Sequence, residues 1–210
     1  MRSMKPPYFI VSLSWVDVLT LGSLLVSSLG LLAAFYHALT LAIALMLLAM
    51  FVDMIDGLLA RRMNLESEFG RYLDSFCDAF AYLVLPLFIL YQFGMNDPFS
   101  LLALFAFLAC GILRLARFNI LSTVEEAGVK YHLGLQVIWS HLVVVLTFPL
   151  WRWLGANVRY PLAIILLGMS FFMIRNLRFR KPTQYKRLTL LIFSVAAFYF
   201  YLHISGVYIP

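Results

Sequence analysis

Seven stretches of this 210-residue chain stay apolar over 15 residues or more, and that leaves few folds open. They run roughly Val18 to Leu39, Leu41 to Leu59, Leu73 to Phe93, Phe99 to Phe118, Leu133 to Leu150, Tyr160 to Ile174 and Leu188 to Leu202. A helix needs about 20 such residues to cross about 30 Å of hydrocarbon. Composition agrees with a bilayer environment: 63% of residues are hydrophobic, 12% are charged, and mean hydropathy is +0.92. A soluble domain is about half apolar and a quarter charged. The fold class expected is therefore an all-α integral membrane protein, a helical bundle in which residues 18–206 form one transmembrane domain. Residues 1–17 are expected to form a short N-terminal interfacial segment, where Tyr8 and Trp15 suit the headgroup level. The apolar run from Val18 to Tyr36 is 19 residues long, more than the 7–15 of a secretory signal.

The charges that remain fall into two groups. Sixteen Lys and Arg against ten Asp and Glu give a formal charge of +6. In a soluble chain that excess would point to nucleic acid; here it points to loops on the cytoplasmic side, and no nucleic-acid partner is expected. With the N-terminus inside, fourteen of the sixteen positive residues fall inside and only Arg152 and Arg159 fall outside. The run from Arg175 to Arg187 reads as an inside anchor that also meets anionic lipid headgroups. Cys77 and Cys110 are too far apart for a C-x-x-C motif, so neither a disulfide framework nor a zinc site is indicated. His132 and His141 read as packing or interfacial residues.

Four acidic residues contradict their surroundings. Asp53, Asp56, Asp74 and Asp78 lie within 26 residues, inside or at the ends of the second and third apolar stretches. Each would cost roughly 2.5–3.5 kcal/mol at the centre of a membrane helix and less near its end. On helices, Asp53 and Asp56 share a face at i, i+3, and Asp74 and Asp78 share one at i, i+4. A turn around Arg61 to Glu68 would bring the two faces together. Four converging carboxylates stay ionised only if cations neutralise them, and a donor set of hard oxygens favours magnesium, manganese or calcium over zinc. Two such ions about 3.5–4 Å apart clamp a phosphate. Gly57 and Ala60 continue the first acidic face, Gly70 lies one turn before Asp74, and Arg61 offers a phosphate-matching guanidinium. Two other readings stay open: helix capping or pairing with Arg61, Arg62, Arg71, Arg114 and Arg117, and a proton or cation pathway.

The segment DMIDGLLARRMNLESEFGRYLDSFCD, residues 53–78, fills every fixed position of D-x-x-D-G-x-x-A-R-x8-G-x3-D-x3-D. In this it resembles the CDP-alcohol phosphatidyltransferase family. The aspartate motifs of membrane prenyltransferases lack the glycine, alanine and arginine that follow. The resemblance implies six core transmembrane helices, with 188–202 a possible seventh span, a homodimer, and a pocket open to the cytoplasm, at the inner membrane if the cell is prokaryotic. It implies that Asp53, Asp56, Asp74 and Asp78 hold two divalent cations, Mg2+ or Mn2+, with Asp78 the catalytic base, and that Gly57, Ala60, Arg61 and Gly70 line the CDP site. Asp17 and Thr20 stand where the family often has N-x-x-T against the nucleotide; Asp replaces Asn, and capping is the competing role for Asp17.

Residues 111–120, GILRLARFNI, narrow the expectation. L-R-L-A-R-F-N looks like the phosphatidylserine synthases of that family. Arg114 and Arg117 share a helix face at i, i+3 and Asn119 follows, a set that can hold a lipid phosphate or a serine carboxylate. As ordinary positive anchors they would look the same. The G-L-P stretch usual further on in those synthases is replaced by Tyr131-His132-Leu133-Gly134-Leu135-Gln136. The implied substrates are CDP-diacylglycerol, among the membrane lipids, and L-serine. Glycerol 3-phosphate and inositol phosphate are the alternative acceptors, and a cation or proton transporter is the distant alternative function.

Overall fold

The computed structural model describes residues 13–121, 124–126, 129–180 and 185–206, and within them the fold is a helical bundle. Helix α1 spans Trp15–Phe35, α2 Leu39–Met63, α3 Glu68–Asp78, α4 Leu85–Gln92 and α5 Pro98–Leu121. Helix α6 follows at Trp139–Leu154, α7 at Arg159–Ile174 and α8 at Tyr185–Ile204. A π-helical turn, Ala79–Val84, joins α3 to α4, so that Glu68–Gln92 is one continuous span. By length and composition, five of these helical segments can cross a membrane, and α6 and α8 contribute shorter apolar ones. The proposed interfacial segment falls mostly outside the described residues, as do Arg2 and Lys5.

Helix α2 is the axis of the bundle. Its first half is buried almost all round, from Leu39 through Ala42, Ile43 and Met46 to Met50. Helix α1 closes against it with a stripe of small buried residues, Thr20, Ser23, Ser27, Gly30 and Ala34. Small side chains let membrane helices approach closely, where packing rather than hydrophobicity holds them. The serines satisfy themselves on their own helix: Ser23 Oγ donates to the Thr20 carbonyl at 2.8 Å and Ser27 Oγ to that of Ser23 at 2.9 Å. The faces turned away from the bundle carry large apolar side chains such as Phe105, Ile120 and Trp153.

Helix α8 answers the question of the seventh apolar stretch. It runs antiparallel to α2, with His203 meeting Thr40 at one end and Phe193 packed on Phe51 further along. Its 20 residues open with Tyr185, Lys186 and Arg187, and its apolar part, Leu190–Ile204, is shorter than the five spans.

Two prolines inside helices are each compensated by a hydroxyl from another helix. Pro86 has no N–H for the carbonyl four residues before it, and Ser140 Oγ of α6 donates to that Tyr82 carbonyl at 2.7 Å. Pro149 likewise leaves the Val145 carbonyl without its helical donor, and the Tyr199 hydroxyl of α8 donates to it at 2.7 Å. A freed carbonyl in a bilayer has no water to turn to, so a neighbouring helix must supply the donor.

One boundary differs from expectation. The apolar window Leu133–Leu150 is not one helix: Leu133 ends strand β2, and α6 begins only at Trp139. Strands β1, Val124–Glu126, β2, Val129–Leu133, and β3, Arg178–Arg180, form a small antiparallel sheet in the order β1-β2-β3. Gly134 makes the exit from β2 possible, since its φ is +75° and a Cβ there would lie 2.5 Å from the Met173 carbonyl oxygen. Apolar character alone does not tell a buried strand and turn from a helix.

Candidate active site

The last third of α2 and the start of the next span carry the acidic residues, and a four-residue turn, Asn64 to Ser67, folds one back on the other. Asn64 closes α2 in the left-handed conformation at φ +53°, with its N–H returning to the Ala60 carbonyl. Asn tolerates this better than most side chains, which is why it ends helices. Ser67 then caps α3, its Oγ accepting from the Gly70 N–H at 2.9 Å. Arg61 and Arg62 occupy the last turn of α2, where the helix dipole favours cations.

This turn brings Asp53, Asp56 and Asp74 together, each with a carboxylate oxygen within 4.8 Å of the others. Asp78 stands one turn beyond Asp74 and adjoins Asp53. Asp56 Oδ2 and Asp78 Oδ1 are both buried without a hydrogen-bond partner. Among the described residues, the ion pairs within 4.0 Å are Arg71 with Glu68 and Arg159 with Asp97. The four carboxylates are thus not matched by the arginines that could have neutralised them. Beyond ion-pair distance, the charge of Arg61 acts on Asp56 and Asp74, and that of Arg114 on Asp78. Converging hard oxygens, two of them buried and orphaned, fit a divalent cation.

A cavity of about 740 Å³ opens on this cluster. Asp53, Asp56, Gly57, Arg61 and Asp74 form its charged wall. Much of the remaining lining is apolar, with Leu47 of α2, Leu142 and Val145 of α6, and Leu191 and Ile192 of α8. Such a space joins an anionic-group site to a lipid-compatible surface.

Of the other expected site residues, Gly57 and Arg61 line the cavity, and Ala60, Gly70, Asp17, Thr20, Arg114, Arg117 and Asn119 are not in its lining. Gly57 leaves room for the Arg61 guanidinium, whose Nη1 lies 3.4 Å from where a Gly57 Cβ would be. Gly70 serves contact between helices: a Cβ there would lie 3.0 Å from Asp17 Oδ1 and from Ser67 Oγ. Asp17 forms a capping box with Ser14, accepting from the Ser14 N–H at 2.7 Å. Thr20 is buried, donates to the Val16 carbonyl at 3.3 Å and faces Asp56. Ala60 is half-buried on α2. Arg114 lies over the Phe118 ring with its Nε buried and unpartnered. Asn119 Oδ1 accepts from Ser75 Oγ at 2.9 Å, tying α5 to α3. Arg117 is half-buried on α5.

Two cavity residues escape the sequence reading. The Tyr82 hydroxyl donates to Asp53 Oδ2 at 2.8 Å, and His141, only 2% exposed, packs on the Tyr82 ring with centroids 4.7 Å apart. Tyr82 continues the i, i+4 ladder of Asp74 and Asp78, a signal hidden by reading aromatics in a span as core or lipid-facing. His141 does pack as expected, but against the site.

Comparison with known proteins gives the same answer as the geometry. The chain is 30% identical over 165 residues to a CDP-diacylglycerol–serine O-phosphatidyltransferase of Bacillus subtilis, covering 77% of this chain and 87% of that protein. A protein of the same description from Methanocaldococcus jannaschii is 31% identical over 126 residues, 56% of this chain and 62% of its own length. A phosphatidylcholine synthase of Rhizobium meliloti is 26% identical over 204 residues, 93% of this chain and 81% of that protein. The family model described as CDP-alcohol phosphatidyltransferase matches residues 14–209. With three carboxylates of its acidic motif lining one cavity and nearly its whole length matched, this membrane-embedded transferase belongs to the CDP-alcohol phosphatidyltransferase family.

Proposed function

We propose that the chain transfers the phosphatidyl group of CDP-diacylglycerol to L-serine, releasing CMP. The observation that carries the reading is the cluster of Asp53, Asp56 and Asp74 in the lining of a cavity that is otherwise largely apolar. A diphosphate suits the acidic part of that lining and acyl chains suit the apolar part.

In the reaction the serine hydroxyl attacks the phosphorus on the lipid side of the diphosphate, the bond from that phosphorus to the bridging oxygen breaks, and CMP departs. Divalent cations, Mg2+ or Mn2+, when held by Asp53, Asp56, Asp74 and Asp78, neutralise the diphosphate and make the hydroxyl easier to deprotonate. Asp78 accepts the hydroxyl proton. Arg61, packed against Gly57 in the cavity lining, holds phosphate oxygens. Arg114 and Arg117 orient the serine carboxylate or the lipid phosphate, with Asn119 held beside them by Ser75. Gly57, Ala60 and Gly70 line the CDP site: Gly57 leaves room for the Arg61 guanidinium, Gly70 lets α3 approach Asp17 of α1, and Thr20 of the same helix supports Asp56. The distribution of positive residues supports a cytoplasmic site, where the water-soluble serine and CMP exchange freely.

The names of the Bacillus and Methanocaldococcus relatives support serine; that of the Rhizobium relative raises choline as a second acceptor. One purified sample offered serine, choline, glycerol 3-phosphate and inositol phosphate decides among them. Serine is expected to give the most CMP release, and preference for another alcohol would reverse the assignment.

A further inference from the structure

The Asp53 carboxylate accepts a hydrogen bond from a hydroxyl of the next span, and the residue that donates it is itself well held. The Tyr82 hydroxyl meets Asp53 Oδ2 at 2.8 Å. Tyr82 is 3% exposed and sits within the π-helical turn Ala79–Val84, immediately after Asp78. Such wide turns inside α-helices recur at functional sites, because they redirect side chains without ending the helix. Pro86 withholds a donor from the Tyr82 carbonyl, and Ser140 Oγ supplies one at 2.7 Å. The next residue, His141, covers the Tyr82 ring at 4.7 Å and has its Nδ1 3.3 Å from the same Ser140 hydroxyl. Helix α6 thus grips Tyr82 at both backbone and ring.

We propose that Tyr82 is a positioning residue of the acidic site: its hydroxyl fixes the orientation of the Asp53 carboxylate for cation binding, and Ser140 and His141 of α6 hold Tyr82 in place. The inference rests on reading the acidic cluster as a cation site and adds to it a residue outside the D-x-x-D motif. Carboxylates that ligate metals are themselves hydrogen-bonded, and removing such a partner typically lowers metal affinity about 10–100-fold. Were Tyr82 only a packing residue, loss of its hydroxyl would leave affinity unchanged, because the ring fills the same space in Phe.

The test is binding of Mn2+ to the full-length protein in detergent without substrate, read from the free-ion electron paramagnetic resonance signal. Tyr82→Phe is expected to raise the Mn2+ dissociation constant about 10–100-fold, while the unfolding temperature of the metal-free protein stays close to that of wild type. Wild-type binding with unchanged affinity in Tyr82→Phe overturns this inference alone. Absence of Mn2+ binding in the wild type overturns the cation-site reading and this inference with it. If Tyr82→Phe does not fold, Ser140→Ala carries the test: weaker Mn2+ binding supports the proposal and unchanged binding overturns it.

Discussion

Asp78 is where the two halves of the acidic motif can be told apart. Asp53, Asp56 and Asp74 form the tight cluster, whereas Asp78 stands beside it with Oδ1 buried and unpartnered. As the proposed proton acceptor, it should matter more to turnover than to binding. Asp78→Asn is expected to lower CMP release about 10²–10⁴-fold while nucleotide binding, measured by titration with CDP, weakens far less; an active Asn variant would remove the base assignment. The four carboxylates were legible because a bilayer makes charge expensive, so every acid in a span asks for a reason. Tyr82 and His141 were not legible for the converse reason. An aromatic residue costs little in an apolar span and a single histidine reads as packing, and only coordinates show that Tyr82 bonds Asp53 while His141 covers the Tyr82 ring.

At the scale of the helices, the proline compensations make a direct prediction. Tyr199→Phe keeps the ring against Phe148, 5.8 Å away, but strands the Val145 carbonyl. A buried carbonyl without its partner should cost about 1 kcal/mol, a fall of about 2–4 °C in unfolding temperature for a chain of this size; no change would mean that the carbonyl finds another donor. The polar end of α5 responds to pH instead. Asp97 caps that helix, accepting from the Ser100 hydroxyl at 2.6 Å and the Ser100 N–H at 3.2 Å, with Arg159 at 3.7 Å. The Ser100 hydroxyl bond, foremost, holds its carboxyl below the ordinary 3.8. Its charge therefore contributes stability above about that pH, and the contribution is lost as pH falls through the lower folded value. Asp97→Asn should unfold at lower temperature than wild type near pH 7, with the gap closing below pH 4 or so; a gap independent of pH would contradict the role given to the charge. Element existence followed from the apolar runs, because seven windows correspond to seven spanning or near-spanning segments. Ends were harder to read: α2 runs on past Leu59 to Met63 because its last turn carries Arg61 and Arg62, and Leu133 belongs to a strand because Gly134 turns the chain before α6.

Across the whole molecule, packing and chemistry share the same central helix. The first half of α2 is the buried axis of the bundle, and its second half presents Asp53 and Asp56 to the cavity. Helix α8, which the sequence left as either a span or a segment folded on the bundle, supplies part of the cavity's apolar wall. In the proposed reaction a lipid with a charged diphosphate would meet the acidic and the apolar parts of the cavity lining at once, which gives a reason for an enzyme of soluble and membrane substrates to sit inside the bilayer. The most direct measurement is CMP release from CDP-diacylglycerol and L-serine by the purified protein, with Mg2+ or Mn2+ added and then removed by a chelator. The account predicts release that depends on the added cation, stops on chelation and is lost in Asp78→Asn. No CMP with any alcohol in the presence of either ion, together with ion flux through the protein in liposomes, would contradict it and make the acidic cluster a transport pathway.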